Sequence, residues 1–160
     1  TFESIENLAG SDYSDTLIGN GKANILRGLE GNDTLDGLEG DDTLIGATGR
    51  DALYGREGAD TFDFNVLRDS LAGSARDVIM DFEHGIDRID LANIDANLKA
   101  PGNQSFKWIG GNSFHKKAGE LRIKDLGSKV MVEADLNGDG KADFQIAVHA
   151  DMLSKADFIL

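Results

Sequence analysis

Gly28-Leu-Glu-Gly31-Asn-Asp33-Thr-Leu35-Asp36 runs directly into Gly37-Leu-Glu-Gly40-Asp-Asp42-Thr-Leu44-Ile45. Two more nonapeptides follow without insertion, from Gly46 to Tyr54 and from Gly55 to Asp63. All four have glycine at positions one and four, aspartate at six and a large apolar residue at eight. The aspartates are Asp33, Asp42, Asp51 and Asp60, and the apolar residues are Leu35, Leu44, Leu53 and Phe62. Two looser repeats precede them, from Gly10 and Gly19, with Asp15 and Asn24 at position six and Tyr13 and Lys22 in place of the second glycine. This is the Gly-x-x-Gly-x-Asp-x-U-x pattern of a parallel β-helix repeat.

Nine residues are too few for a strand, a crossover helix and a second strand. They suffice for a tight turn and a short strand with one inward side chain. Glycine at positions one and four is expected to supply φ > 0 in the turns. Two repeats make one coil of eighteen residues, so strands alternate between two facing parallel sheets. Leu17, Leu35 and Leu53 should stack on one sheet, and Leu26, Leu44 and Phe62 on the other. A flexible Gly/Asp-rich linker would not hold an apolar residue at position eight in every repeat.

The same arithmetic aligns Asp15, Asp33 and Asp51 along one edge and Asn24, Asp42 and Asp60 along the other. Neighbouring carboxylates lie one ladder step apart, about 5 Å. At an effective dielectric of about 20, each pair repels by roughly 3 kcal/mol. No Lys or Arg occupies position six. Hard oxygen donors at this density suit Ca²⁺, with glycine-turn carbonyls completing the shell. Metal binding is therefore expected to be part of folding.

These residues resemble the repeats-in-toxin (RTX) family, in which calcium sits between equivalent loops of successive coils. The resemblance implies that Asp33 with Asp51, and Asp42 with Asp60, frame the two best-formed sites. It makes the turn carbonyls of Gly28, Gly31, Gly37, Gly40, Gly46, Gly49, Gly55 and Gly58 the co-ligands. Asp15 and Asn24, in the degenerate repeats, imply weaker sites.

Residues 1–63 carry 14 acids against 4 bases, and the whole chain has a net charge of −13. The excess negative charge thus sits on the repeats, and without a basic patch nucleic acid is not an expected partner. No apolar run is long enough to span a membrane. There is no cysteine. Residues 1–9 are in phase with the repeats and read as a degenerate leading coil. No signal peptide opens the sequence, and Thr1 suggests a piece of something longer, with a covalently linked upstream domain as partner.

After Asp63 the period stops. Asp77–Phe82, Asp87–Leu91, Phe106–Ile109, Glu120–Lys124, the stretch around Val130 and Val132, and Phe144–Val148 alternate as strands. Met152–Leu160 suits a short helix or a terminal strand. The expected fold is all-β: a parallel β-roll over residues 1–66, then a mostly antiparallel, sandwich-like cap over 67–160. Asp77, Asp81, Asp87 and Asp90 read first as the solvent face of these strands; the alternative is that one of them helps close the last coil's calcium site. Asp135-Leu-Asn137-Gly-Asp139-Gly-Lys141-Ala-Asp143 spaces oxygen donors as in the first part of an EF-hand, but Ile146 stands where the bidentate Glu belongs. Either a calcium-binding hairpin loop or a metal-free Asn-Gly-Asp-Gly turn accounts for it.

Gly58-Ala-Asp-Thr-Phe, Asp77-Val-Ile-Met-Asp-Phe, Gly85-Ile-Asp-Arg-Ile-Asp-Leu and Gly138-Asp-Gly-Lys-Ala-Asp-Phe resemble the C-terminal domain of serralysin-type secreted metalloproteases. Similar tails occur in other type I-secreted proteins, including lipases and mannuronan C-5 epimerases. The resemblance implies a secreted, extracellular, non-catalytic module. It marks Asp157-Phe158-Ile159-Leu160 as a secretion signal read by a type I secretion apparatus. No His-Glu-x-x-His, Gly-x-Ser-x-Gly or Walker loop is present. The alternative is an accessory module that binds an alginate-like polysaccharide, although only Lys22, Arg27, Arg50 and Arg56 would supply positive charge on the roll.

Overall fold

The computed structural model describes residues 6–160; the first residues of the leading coil, 1–5, lie outside this range. Successive nonapeptides alternate between two facing sheets, as their period requires. One sheet has six parallel strands in the order β1 (Asn7–Ala9), β3 (Ile25–Gly31), β5 (Thr43–Gly49), β7 (Thr61–Asp63), β9 (Arg88–Asp90) and β14 (Phe158–Ile159). The other runs through β2 (Thr16–Ile18), β4 (Thr34–Asp36), β6 (Ala52–Tyr54) and β8 (Asp77–Ile79) to β13 (Phe144–Val148), all parallel. It then continues antiparallel into β12 (Val130–Asp135) and β11 (Glu120–Asp125), with β10 (Lys107–Trp108) on its edge.

The position-eight side chains form two columns. Leu8, Leu26, Leu44, Phe62, Ile89 and Phe158 are in register on the first sheet. Leu17, Leu35, Leu53, Ile79 and Val148 are in register on the second. Leu26, Leu35, Leu44, Leu53, Phe62, Ile79 and Ile89 are all fully buried. Each such side chain contributes about 1.5–3 kcal/mol relative to exposure. The columns lead into the core of the second half, where Phe64 meets Phe144 edge-on at 5.7 Å and Phe62 lies 6.0 Å from Phe82.

The all-β architecture is as expected, but the parallel ladder extends beyond the repeats. β8, β9 and β14 add to the roll's sheets, and antiparallel pairing is confined to β11, β12 and β13. The register explains why the period is lost in sequence. From Leu53 to Ile79 the step is 26 residues, and from Phe62 to Ile89 it is 27, because a loop and a 3-10 turn (Leu67–Ser70) intervene.

The glycines depart from expectation in an informative way. The second glycines, Gly31, Gly40, Gly49 and Gly58, do have φ between 117° and 145°. The first glycines do not; instead the residues after them, Leu29, Leu38, Ala47 and Arg56, sit at φ 64–80°. Position one needs glycine for space: a Cβ on Gly46 would strike the Asp51 carboxylate. Gly46→Ala should therefore destabilise the fold by about 1–3 kcal/mol through overpacking. Ala47→Gly should stabilise it by up to about 1 kcal/mol, because relief of left-handed strain outweighs the entropy of glycine. Urea midpoints of the two variants under identical conditions check both the sizes and the opposite signs.

Candidate metal centre

Each position-six residue of the repeats immediately precedes a strand, and its backbone amide points along the ladder toward the next coil. That amide donates to the carboxylate eighteen residues on. Asp15 N–H donates to Asp33 Oδ1 at 2.8 Å, and Asp33 N–H to Asp51 Oδ1 at 2.8 Å. On the other edge Asn24 N–H donates to Asp42 Oδ1 at 2.7 Å, and Asp42 N–H to Asp60 Oδ1 at 2.9 Å. One carboxylate oxygen of each inner aspartate is thus held by the protein itself.

The other oxygen is not. Oδ2 of Asp33, Asp42, Asp51 and Asp60 is buried and accepts no hydrogen bond. These oxygens face the turn of their own repeat. A Cβ built on Gly28 would meet Asp33 Oδ2 and the Gly46 carbonyl oxygen; one on Gly37 would meet Asp42 Oδ2 and the Gly55 carbonyl oxygen. The space is therefore a small cradle lined by a carboxylate oxygen and a carbonyl oxygen from the next coil. An unpartnered buried carboxylate oxygen is costly, and a cation is the natural occupant. The donors are all hard oxygens, which fit a hard divalent cation better than a soft one. Among the described residues no three His, Cys, Asp or Glu side chains converge on one point. Each cradle therefore relies on backbone oxygens as well as carboxylates.

The degenerate repeats differ. Asp15 Oδ2 accepts from both the amide and the hydroxyl of Ser11, at 2.6 and 2.7 Å. Asn24 Oδ1 accepts from Asn20 N–H at 2.7 Å. Their oxygens are already engaged within their own loops.

Two members of the rows lie where the sequence favoured a solvent face, with a role beside the last coil only as the alternative. Asp77 and Asp87 are not on a solvent face: they are 0% and 1% exposed. Asp51 N–H donates to Asp77 Oδ1 at 2.8 Å, and Asp60 N–H to Asp87 Oδ1 at 3.0 Å. They are the next position-six residues after the loop. Asp77 Oδ2 is buried and unpartnered like the others, whereas Asp87 Oδ2 accepts from Glu83 N–H. The signal was present in Asp77-Val-Ile79 and Asp87-Arg-Ile89, which keep the Asp-x-apolar spacing of Asp51-Ala-Leu53 without the glycines. Asp81 accepts from the amides of Gly55 and Arg56 at the turn, and Asp90 from Ala92 N–H.

Burial and mutual repulsion make these acids hard to ionise. Burial first, then the Asp33 and Asp69 carboxylates, raise the pKa of Asp51 from 3.8 to about 7. Asp60 rises to about 7, Asp42 to about 6 and Asp77 to about 9, burial being the main cause each time.

The Asp135–Asp143 loop is different in kind. Asp135 accepts from Gly138 and Gly140 amides, Asp143 from those of Leu136 and Asn137, and Asp139 from that of Lys141. Its carboxylates cap the turn through backbone amides of their own loop. At the C-terminus, Asp157 is fully buried and accepts from Ser154 and Gly85 amides and from His84 Nδ1. Phe158 and Ile159 form the edge strand of the first sheet, and Trp108 packs on Phe158 at 5.2 Å.

The sequence matches the family described as peptidase M10 serralysin C terminal over residues 3–160. The chain belongs to that family. This serralysin C-terminal module also resembles two solved subunits of the mannuronan C5-epimerase of Azotobacter vinelandii. AlgE6R3 is 30% identical with a TM-score of 0.67, covering 94% of this chain and 80% of its own. AlgE6R2 is 26% identical with a TM-score of 0.69, covering 96% and 91%. No curated protein sequence matches. Family and neighbours together make the chain an RTX-type β-roll.

The raised pKa values set a pH dependence for the metal-free module. A carboxyl with a folded pKa above its unfolded value of 3.8 favours folding when protonated. That contribution is complete below the unfolded pKa and is lost as pH climbs through the folded values, about 6 to 9. Asp157 and Glu120, whose pKa values are lowered, act in the opposite sense as pH falls through theirs. In chelator, circular dichroism should show more β structure near pH 5 than near pH 8, and Asp77→Asn should shrink the difference.

Proposed function

We propose that this chain is a non-catalytic calcium-binding module of a secreted protein, which folds when it meets extracellular calcium and carries a type I export address at its C-terminus. The observation that carries this reading is the pair of rows of buried aspartates whose Oδ2 atoms have no partner. In this reading residues 1–66 form the metal-binding roll and residues 67–160 the cap that closes it. Asp33 with Asp51 and Asp42 with Asp60 hold the best sites. Asp51 with Asp77 and Asp60 with Asp87 extend the array past the repeats. The glycine-turn carbonyls complete each shell.

Bound Ca²⁺ supplies the positive charge that lets adjacent carboxylates ionise at one ladder step. The chain supplies the rest: Oδ1 is fixed by the neighbouring coil's amide, Oδ2 is aimed into the turn, and position one is kept clear by glycine. A ligand that binds only the folded chain stabilises it by RT ln(1 + [L]/Kd). Extracellular calcium modules bind at roughly 0.1–1 mM. At cytosolic calcium, far below that range, the chain stays unfolded and can be threaded through an export channel. Outside, the roll closes and can template folding of a domain linked ahead of it.

Calcium titrated into the chelated chain should produce a cooperative gain of β signal that magnesium does not reproduce. Asp51→Ala and Asp60→Ala should shift the midpoint to higher calcium, and Asp77→Asn should do so by a similar factor. A folded spectrum in chelator at neutral pH, unchanged by calcium, refutes the switch. The export address has its own check. Deleting Phe158, Ile159 and Leu160 should abolish appearance of the protein in the medium of a host with a type I apparatus, and undiminished export would remove that role.

A further inference from the structure

The outer face of the eight-stranded sheet carries a feature that calcium binding does not use. Two adjoining cavities, of about 250 and 300 Å³, open across strands β6, β8 and β13. Arg50 and Lys129 line both; Arg76 lines the first and His149 the second. The floor is small and apolar, because Ala52, Val78 and Ala147 are in register on three neighbouring strands. In a chain of net charge −13, this groups three fixed positive charges and an imidazole around one trough.

None of these cations is held in an ion pair among the described residues. Among the described residues the side chains of Arg50, Lys129 and His149 form no hydrogen bond or salt bridge. Arg76 donates only to the Gly73 carbonyl, a contact that orients its guanidinium. Of the outward acids, Asp36 pairs with Arg56 and Glu133 with Arg122, while Asp81 and Asp151 lie beyond His149 and line a separate cavity with it. Asp51 borders the second cavity, but the residue is 1% exposed and its Oδ1 accepts from Asp33 N–H in the row of acids along the sheet edge. The Arg50 charge favours ionisation of Asp77 through space without bonding to it.

We propose that this trough is a binding site for a doubly charged oxyanion, a sulfate or phosphate group, either free or esterified to a saccharide. Two arginine forks with a lysine match a tetrahedral dianion better than a single carboxylate, since each guanidinium can present two parallel N–H donors. The Ala52–Val78–Ala147 floor leaves room for an apolar ring face beside the charged group. The site needs the folded roll but not any particular account of what folds it.

The test uses the full chain, folded in calcium, with sulfate as probe because phosphate precipitates with calcium. Sodium sulfate is titrated at constant ionic strength against sodium chloride and sodium acetate, with amide chemical shifts as readout. Sulfate should produce saturable shifts at Ala52, Val78 and Ala147 that chloride and acetate do not. The double variant Arg76→Gln/Lys129→Gln should weaken binding by about tenfold or more, while Lys117→Gln should not. Tighter binding of a sulfated disaccharide than of free sulfate assigns the group to a sugar, and equal affinity assigns it to the free ion. Equal shifts with all three salts overturn the proposal. So does unchanged affinity in a double variant that circular dichroism shows to be folded; the cations would then serve only to offset Asp51 and Asp77. Shift mapping on the unaltered chain decides the matter if the variant does not fold.

Discussion

The structure depends on one constraint: carboxylates stacked at the ladder spacing, out of water, with one oxygen each left without a donor. Every other feature of the roll accommodates it. The eighteen-residue coil places the acids in register, and the backbone amides of each coil hold Oδ1 of the next. The first glycine of each repeat leaves the space into which Oδ2 points. Hydrophobic columns from Leu26 to Phe62 and from Leu35 to Ile79 supply the apolar burial, but they cannot separate the charges that their own registry brings together. Neutralisation by protons or by a divalent cation is the remaining solution. Both routes favour the same folded chain, which is why the pKa values rise in the metal-free state.

The second half is structurally part of the same ladder. β8 and β9 repeat the role of a nonapeptide strand without its glycine turn, and Asp77 and Asp87 continue the acid rows. β13 and β14 then pair onto β8 and β9, so each sheet passes into the cap without a break. Asp157 ties the last residues to the loop at His84 and Gly85. The segment that resembles an export address is therefore a built edge strand of the folded protein.

Charge is distributed by face. The acids lie within the turns and along the roll, where they face one another, while Arg50, Arg76 and Lys129 gather on one outer sheet surface. Arg56 is absorbed locally by Asp36 and the Tyr54 ring. This segregation lets a strongly acidic protein present a cationic trough without cancelling it.

The repeats by themselves determined the roll, its two sheets, the partition of Leu17, Leu35 and Leu53 from Leu26, Leu44 and Phe62, and the two rows of acids. Period is a local property, and a nine-residue period with one inward side chain has few solutions. Tertiary structure alone decided three further things. It placed Asp77 and Asp87 in the rows of acids, because loops of irregular length hide the register from any count along the chain. It moved the left-handed backbone from the first glycine to Leu29, Leu38, Ala47 and Arg56, and made the glycine a matter of space around a carboxylate one turn away. It brought Arg50, Arg76 and Lys129 from three separate segments onto one face, since only strand pairing sets residues far apart in sequence side by side.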